Sequence, residues 1–149
     1  MDTIVFGCCK SDLEDYLTTS ILVNGYDLKV LIEGIEADQM ADKGLTLQNG
    51  CYEGISHFIA FDNQNHFLRE TLRDYMYPEE RFTLYDYKYS GVPGDHSLTC
   101  KIAIGNTEVV WYDFKNYSKI ISFEIDYSGL EFRFSKAQYC QAIASVRNS

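Results

Sequence analysis

Proline is scarce in this chain of 149 residues: Pro78 and Pro93 are the only two, and no linker-like stretch divides the sequence. A single domain of ordinary size follows. Cationic residues are also in the minority. Thirteen Lys and Arg face twenty-two Asp and Glu, a net charge of −9, which argues against a free-standing nucleic-acid binder. No apolar run reaches the length needed to cross a bilayer, so no membrane partner is expected. The opening Met1-Asp2-Thr3-Ile4 lacks the basic and apolar regions of a secretory signal, and a cytoplasmic location is expected. The three histidines and five cysteines show neither H-x-x-x-H nor C-x-x-C spacing, so neither a metal nor a cofactor is expected. Cys8, Cys9, Cys51, Cys100 and Cys140 are odd in number and scattered, which suits reduced thiols packed as small core hydrophobes. Neither a G-x-S-x-G elbow nor a Walker loop occurs, and no catalytic residue is nominated.

The material for a core is ample: 46% of residues are hydrophobic, and twelve Tyr and nine Phe are present. Residues 3–6 and 18–23 read as strands, with Asn24-Gly25 as a turn. Leu28, Leu31, Ile32 and Ile35 then recur at helical spacing behind Asp27, a fitting N-cap, so a helix is expected over 28–37. Residues 44–54 read as a loop, 57–61 as a strand, and 63–76 as ambiguous. From residue 82 the pattern alternates: strands over 82–89, 98–104, 107–114, 119–125 and 130–134, then a helix capped by Ser135 and carrying Tyr139, Ile143, Ala144 and Val146. The class is α+β: an antiparallel sheet, a meander in the C-terminal half, flanked by two or three helices. Gly25, Gly50, Gly54 and Gly129 suit turns with positive φ, and alternation puts Trp111 and Phe114 on opposite faces of one strand.

Two features remain to carry function. Acids cluster at Asp12/Glu14/Asp15, at Glu33/Glu36/Asp38/Asp42 and at Glu79/Glu80. Tyr85, Tyr87 and Tyr89 alternate, so they share one strand face. Tyrosine supplies stiff contact area with a polar tip, and acids attract basic partners. Glu33, Glu36, Asp38 and Asp42, on an acidic outer helix face, together with the three tyrosines are therefore the candidate partner-binding residues.

Several motifs also form a pattern. Ile21-Leu22-Val23-Asn24-Gly25-Tyr26-Asp27-Leu28 with Glu36, Gly50-Cys51-Tyr52-Glu53-Gly54, Val110-Trp111-Tyr112-Asp113-Phe114, and Asp126-Tyr127-Ser128-Gly129-Leu130 with Phe134 to Tyr139 occur in that order. This run resembles a family of small bacterial proteins that is similar to the immunity proteins of toxin systems, including contact-dependent growth inhibition. The resemblance implies an inhibitor that binds a cognate, basic, nuclease-like toxin domain by steric and electrostatic blockade. A cysteine-rich segment common in that family is reduced here to Cys100, so no metal or redox role is carried over. Two other readings stand beside it: a structural or regulatory interaction module such as a homodimer, and an uncharacterised hydrolase.

Overall fold

Asn24 and Gly25 hold φ of 53° and 83°, the left-handed pair that a two-residue hairpin of the primed type requires. They join β2 (Leu17–Val23) to β3 (Tyr26–Asp27), and β1 (Ile4–Lys10) pairs with the other edge of β2. The computed structural model describes residues 1–11, 16–45, 52–62, 65–69, 76–77, 80–87, 97–117 and 124–147. The acidic turn Asp12/Glu14/Asp15, Gly50, Cys51, most of 63–76, Glu79, Tyr89, His96 and most of the expected 119–125 strand lie outside the described residues. The turn-then-helix expectation holds with one addition, the two paired residues of β3. Helix α1 (Leu28–Asp42) starts at once, with Asp27 Oδ1 accepting the Lys29 N–H at 3.0 Å. It runs five residues past the expected end at 37.

The second sheet is the expected C-terminal meander, antiparallel throughout. It contains β4 (Tyr52–Gly54), β5 (Met76–Tyr77), β6 (Arg81–Tyr87), β7 (Ser97–Ile104), β8 (Glu108–Asn116) and β9 (Phe132–Ser135), in the order β4-β6-β7-β8-β9, with β5 on the start of β6. Backbone hydrogen bonds join the two sheets at both ends. Asp2 forms a parallel bridge to Phe134, its N–H donating to Arg133 O at 2.9 Å, and the Thr19 N–H donates to Ile55 O at 2.8 Å. The hydrogen-bonded path thus closes on itself, which protects strand edges that would otherwise stand open. The Gln138 side chain extends one seam, accepting from Ile4 N–H at 3.0 Å and donating to Ile4 O at 2.6 Å. At the other seam, a Cβ on Gly54 would lie 1.8 Å from Thr19 O. Gly54 therefore serves close approach of two backbones and not the positive φ expected of it.

The expected strand at 57–61 is instead a π-helical segment (Phe58–Asp62), with Ala60 N–H donating to Ser56 O and the His57 and Phe61 rings 5.2 Å apart. A short apolar run cannot by itself distinguish strand from helix. Helix α2 (Lys136–Arg147) begins as expected, with Ser135 Oγ accepting the Gln138 N–H at 3.0 Å. It lays Tyr139, Ala142, Ile143 and Val146 into the core. There Trp111 is stacked on Phe67 and donates from Nε1 to Tyr139 Oη at 3.1 Å.

Phe114 shares that core with Trp111, against the expectation of opposite faces. The cause is a β-bulge in β8. Thr99 faces Lys115 but Lys101 faces Tyr112, so Cys100 opposes two residues, and Asp113 takes φ 54°. The extra residue reverses the alternation beyond it, turning Phe114 inward. Buried Arg81 holds the bulge by donating to both the backbone and the carboxylate of Asp113, and Lys101 Nζ lies 3.4 Å from the same carboxylate.

His66, in the stretch that the sequence leaves ambiguous, is fully buried in a 3₁₀ turn (His66–Leu68), its Nε2 2.6 Å from Thr83 O. Burial pulls its pKa from 6.5 down to about 4. The folded ring thus stays neutral where the unfolded ring takes a proton. Its contribution is fully present above the unfolded pKa and is lost as pH falls toward the folded value, by about 3 kcal/mol in all. Urea midpoints should drop between pH 7 and pH 5, and His66→Gln, which still donates to Thr83 O, should flatten that drop.

Candidate functional site

The structure separates the residues nominated from sequence. Tyr85 is 2% exposed, inside the core and beside Tyr52 with ring centroids 6.2 Å apart, so it presents no surface to a partner. Strand β6 is buried on both sides from Arg81 to Tyr85, and an irregularity between Thr83 and Tyr85 interrupts its simple alternation. The side chain of Tyr87, like the whole of Tyr89, lies outside the described residues. On α1 the buried stripe is Leu28, Ile32, Glu36 and Met40, while Val30 is 62% exposed and Leu31 faces solvent. The apolar face is thus rotated from the expected one, and Glu36 is 0% exposed. Asp38 and Asp42 are exposed as expected, and Glu33 is half-buried.

Glu36 is enclosed because three donors meet it. Tyr52 Oη donates to its two oxygens at 2.9 and 2.7 Å, Asn116 Nδ2 donates at 3.2 Å, and the Tyr127 hydroxyl donates as well. An acceptor-only carboxylate suits such surroundings. Burial raises its pKa above the ordinary carboxyl value, opposed by the hydrogen bonds from Tyr127, Tyr52 and Asn116. Burial and the same carboxylate push the Tyr127 hydroxyl up. One acid therefore ties α1 to β4, β8 and the segment before β9. Nearby, Gln39 clamps that segment from the surface: Nε2 donates to Asp126 O at 2.6 Å and Oε1 accepts the Asp126 N–H at 2.7 Å. These contacts hold α1 by its inner side and leave the outer side open.

The clamp fixes a second group of acids next to α1. A shallow depression of about 410 Å³ is lined by Asp113, Phe114, Glu124, Ile125, Asp126, Tyr127 and Ser128. Asp126 accepts the Ser128 N–H at 2.8 Å, which holds its carboxyl below the usual range. Burial weighs against it, but the cations Arg81 and Lys101 likewise keep Asp113 low. Asp38 and Asp42, one turn apart, are exposed on the same helix that Gln39 joins to Asp126. Sequence reasoning missed Asp113, Glu124 and Asp126. The D-Y-S-G turn signal was present, but only folding brings it to α1.

Cys100 is buried as expected and burial pushes its thiol up, whereas Cys8 and Cys9 are exposed on β1, not core residues. Cys9 Sγ lies 3.3 Å from Thr18 Oγ1. Among the described residues no group of three His, Cys, Asp or Glu could hold a metal ion, and no helix is long and apolar enough to cross a membrane. Comparison with family models, with curated proteins and with solved structures finds no match.

Proposed function

We propose that the chain is an immunity-type inhibitor that binds a basic protein domain, such as a nuclease-like bacterial toxin, and blocks it sterically and electrostatically. The observation that carries this reading is the acid-lined depression of Asp113, Glu124 and Asp126, with Asp126 hydrogen-bonded to Gln39 on α1, the helix that also exposes Asp38 and Asp42. Carboxylates on a body of net charge −9 attract Lys and Arg side chains and speed encounter with a positive cleft. The resemblance in the N-G-x-x-L, W-x-D-F and D-Y-S-G-L motifs supports the same reading. The test is to sequence the neighbouring DNA and co-express the chain with any toxic domain found there: the wild type should restore growth. Combined Asp38→Lys, Asp42→Lys and Glu124→Lys should lower the association rate about tenfold at low salt, with little change in stability because all three are exposed. Failure to restore growth, or a salt-independent association rate, would discard the proposal.

A second reading has its own observation. Tyr26 is 76% exposed and Val30 62%, at the N-terminal end of α1, with Leu22 and Val5 exposed on the adjoining sheet. Val5 and Leu22 face each other across β1 and β2, and such exposed apolar surface suits self-association. Light scattering on the isolated chain distinguishes a homodimer from a monomeric inhibitor.

A further inference from the structure

A cleft of about 220 Å³ lies where β2 passes β4 and the first turn of α1, apart from the acidic depression. It is lined in part by Thr19 and Tyr85, whose hydroxyls lack a hydrogen-bond partner although each residue is only 2% exposed. The Lys29 amide lies near Tyr85 Oη, but it donates to Asp27 Oδ1. Buried hydroxyls are seldom left unpaired in folded proteins. The walls carry both signs of charge. Asp27 and Lys29 stand toward the Leu22 end of β2, and Lys10 and Glu53 toward the Leu17 end, where Ser11 Oγ donates to Glu53 Oε1 at 2.8 Å.

This combination narrows the chemistry. A lone anion would face Asp27 and Glu53. A lone cation would face Lys10 and Lys29. An apolar molecule would leave the two hydroxyls unpaired, at a cost. We propose that the cleft binds a small zwitterion of amino-acid size, its ammonium and carboxylate met by the charged walls and its remaining polar atoms by the hydroxyls of Thr19 and Tyr85. The site does not depend on the inhibitor reading, and either can fail alone.

The experiment is a thermal-shift screen of the wild-type chain against each of the twenty L-amino acids at millimolar concentration. Titration calorimetry then follows on wild type, Thr19→Val and Tyr85→Phe. At least one amino acid should raise Tm, and each variant should bind it about tenfold more weakly, the worth of one hydrogen bond in a closed site. The amine and the acid that share its side chain but carry a single charge should not bind. Without ligand, both variants should keep or raise Tm, since each removes an unpaired hydroxyl. The proposal is overturned if no amino acid shifts Tm, if the singly charged analogues bind as well, or if both variants bind unchanged. A lower Tm in the ligand-free variants would also overturn it, because it would assign the hydroxyls to structural water.

Discussion

Replacing Glu36 by leucine is expected to cost the fold about 3 kcal/mol, although leucine fills most of the space. The loss comes from Tyr52, Tyr127 and Asn116, whose hydrogen bonds to the carboxylate would be replaced by contact with an apolar group. Glu36→Gln keeps the shape and one acceptor but turns an amide N–H₂ toward hydroxyls, and should cost about 1 kcal/mol. Urea unfolding measures both. The pH dependence supplies an independent check. A carboxyl whose folded pKa is raised binds its proton more tightly in the fold than in the unfolded chain. Its contribution is therefore largest at low pH and is lost as pH rises from the ordinary carboxyl range through the raised value. That slope runs opposite to the one from His66, and the glutamine variant should lack it. If Glu36→Leu is as stable as wild type, the carboxylate is not what secures α1.

Replacing Asp113 by valine is expected to be at least as damaging, by about 5 kcal/mol. A β-branched residue is strained at the φ of 54° that the bulge needs, and with residue 113 kept but the bulge lost β8 regains strict alternation. Phe114 would turn outward and lose about 2 kcal/mol of burial. Asn116 would leave the Glu36 cluster, and buried Arg81 would lose its carboxylate partner, each worth further loss. Loss of near-ultraviolet circular dichroism from Trp111 and a collapsed urea midpoint would report it. Asp113→Asn, which retains the bulge and the left-handed backbone that Asn tolerates, should cost far less. Equal damage from the two changes would mean the ion pair, not the register, matters.

Much of the architecture could be read from local chemistry. Asp27 and Ser135 cap their helices where side-chain oxygens had to be, Asn24-Gly25 turns the chain as its φ angles allow, and the alternating C-terminal runs pair as a meander. Periodicity reports which residues share a face. It does not report how that face is rotated toward its neighbours, and a single bulge changes the count. For that reason Glu36 and Tyr85 read as surface groups and lie in the core, while Phe114 reads as facing away from Trp111 and packs with it.

The amino-acid order by itself determined the α+β class, the caps, the turns and the net negative charge, because each depends on residues a few positions apart or on a simple sum. Only the tertiary structure decided which acids are buried and which stand together. Glu36 is drawn inward by donors as far as 91 residues away in sequence, and Asp126 reaches α1 through an amide 87 residues distant. Burial and proximity are set by the packing of whole elements, so no local pattern could have carried them.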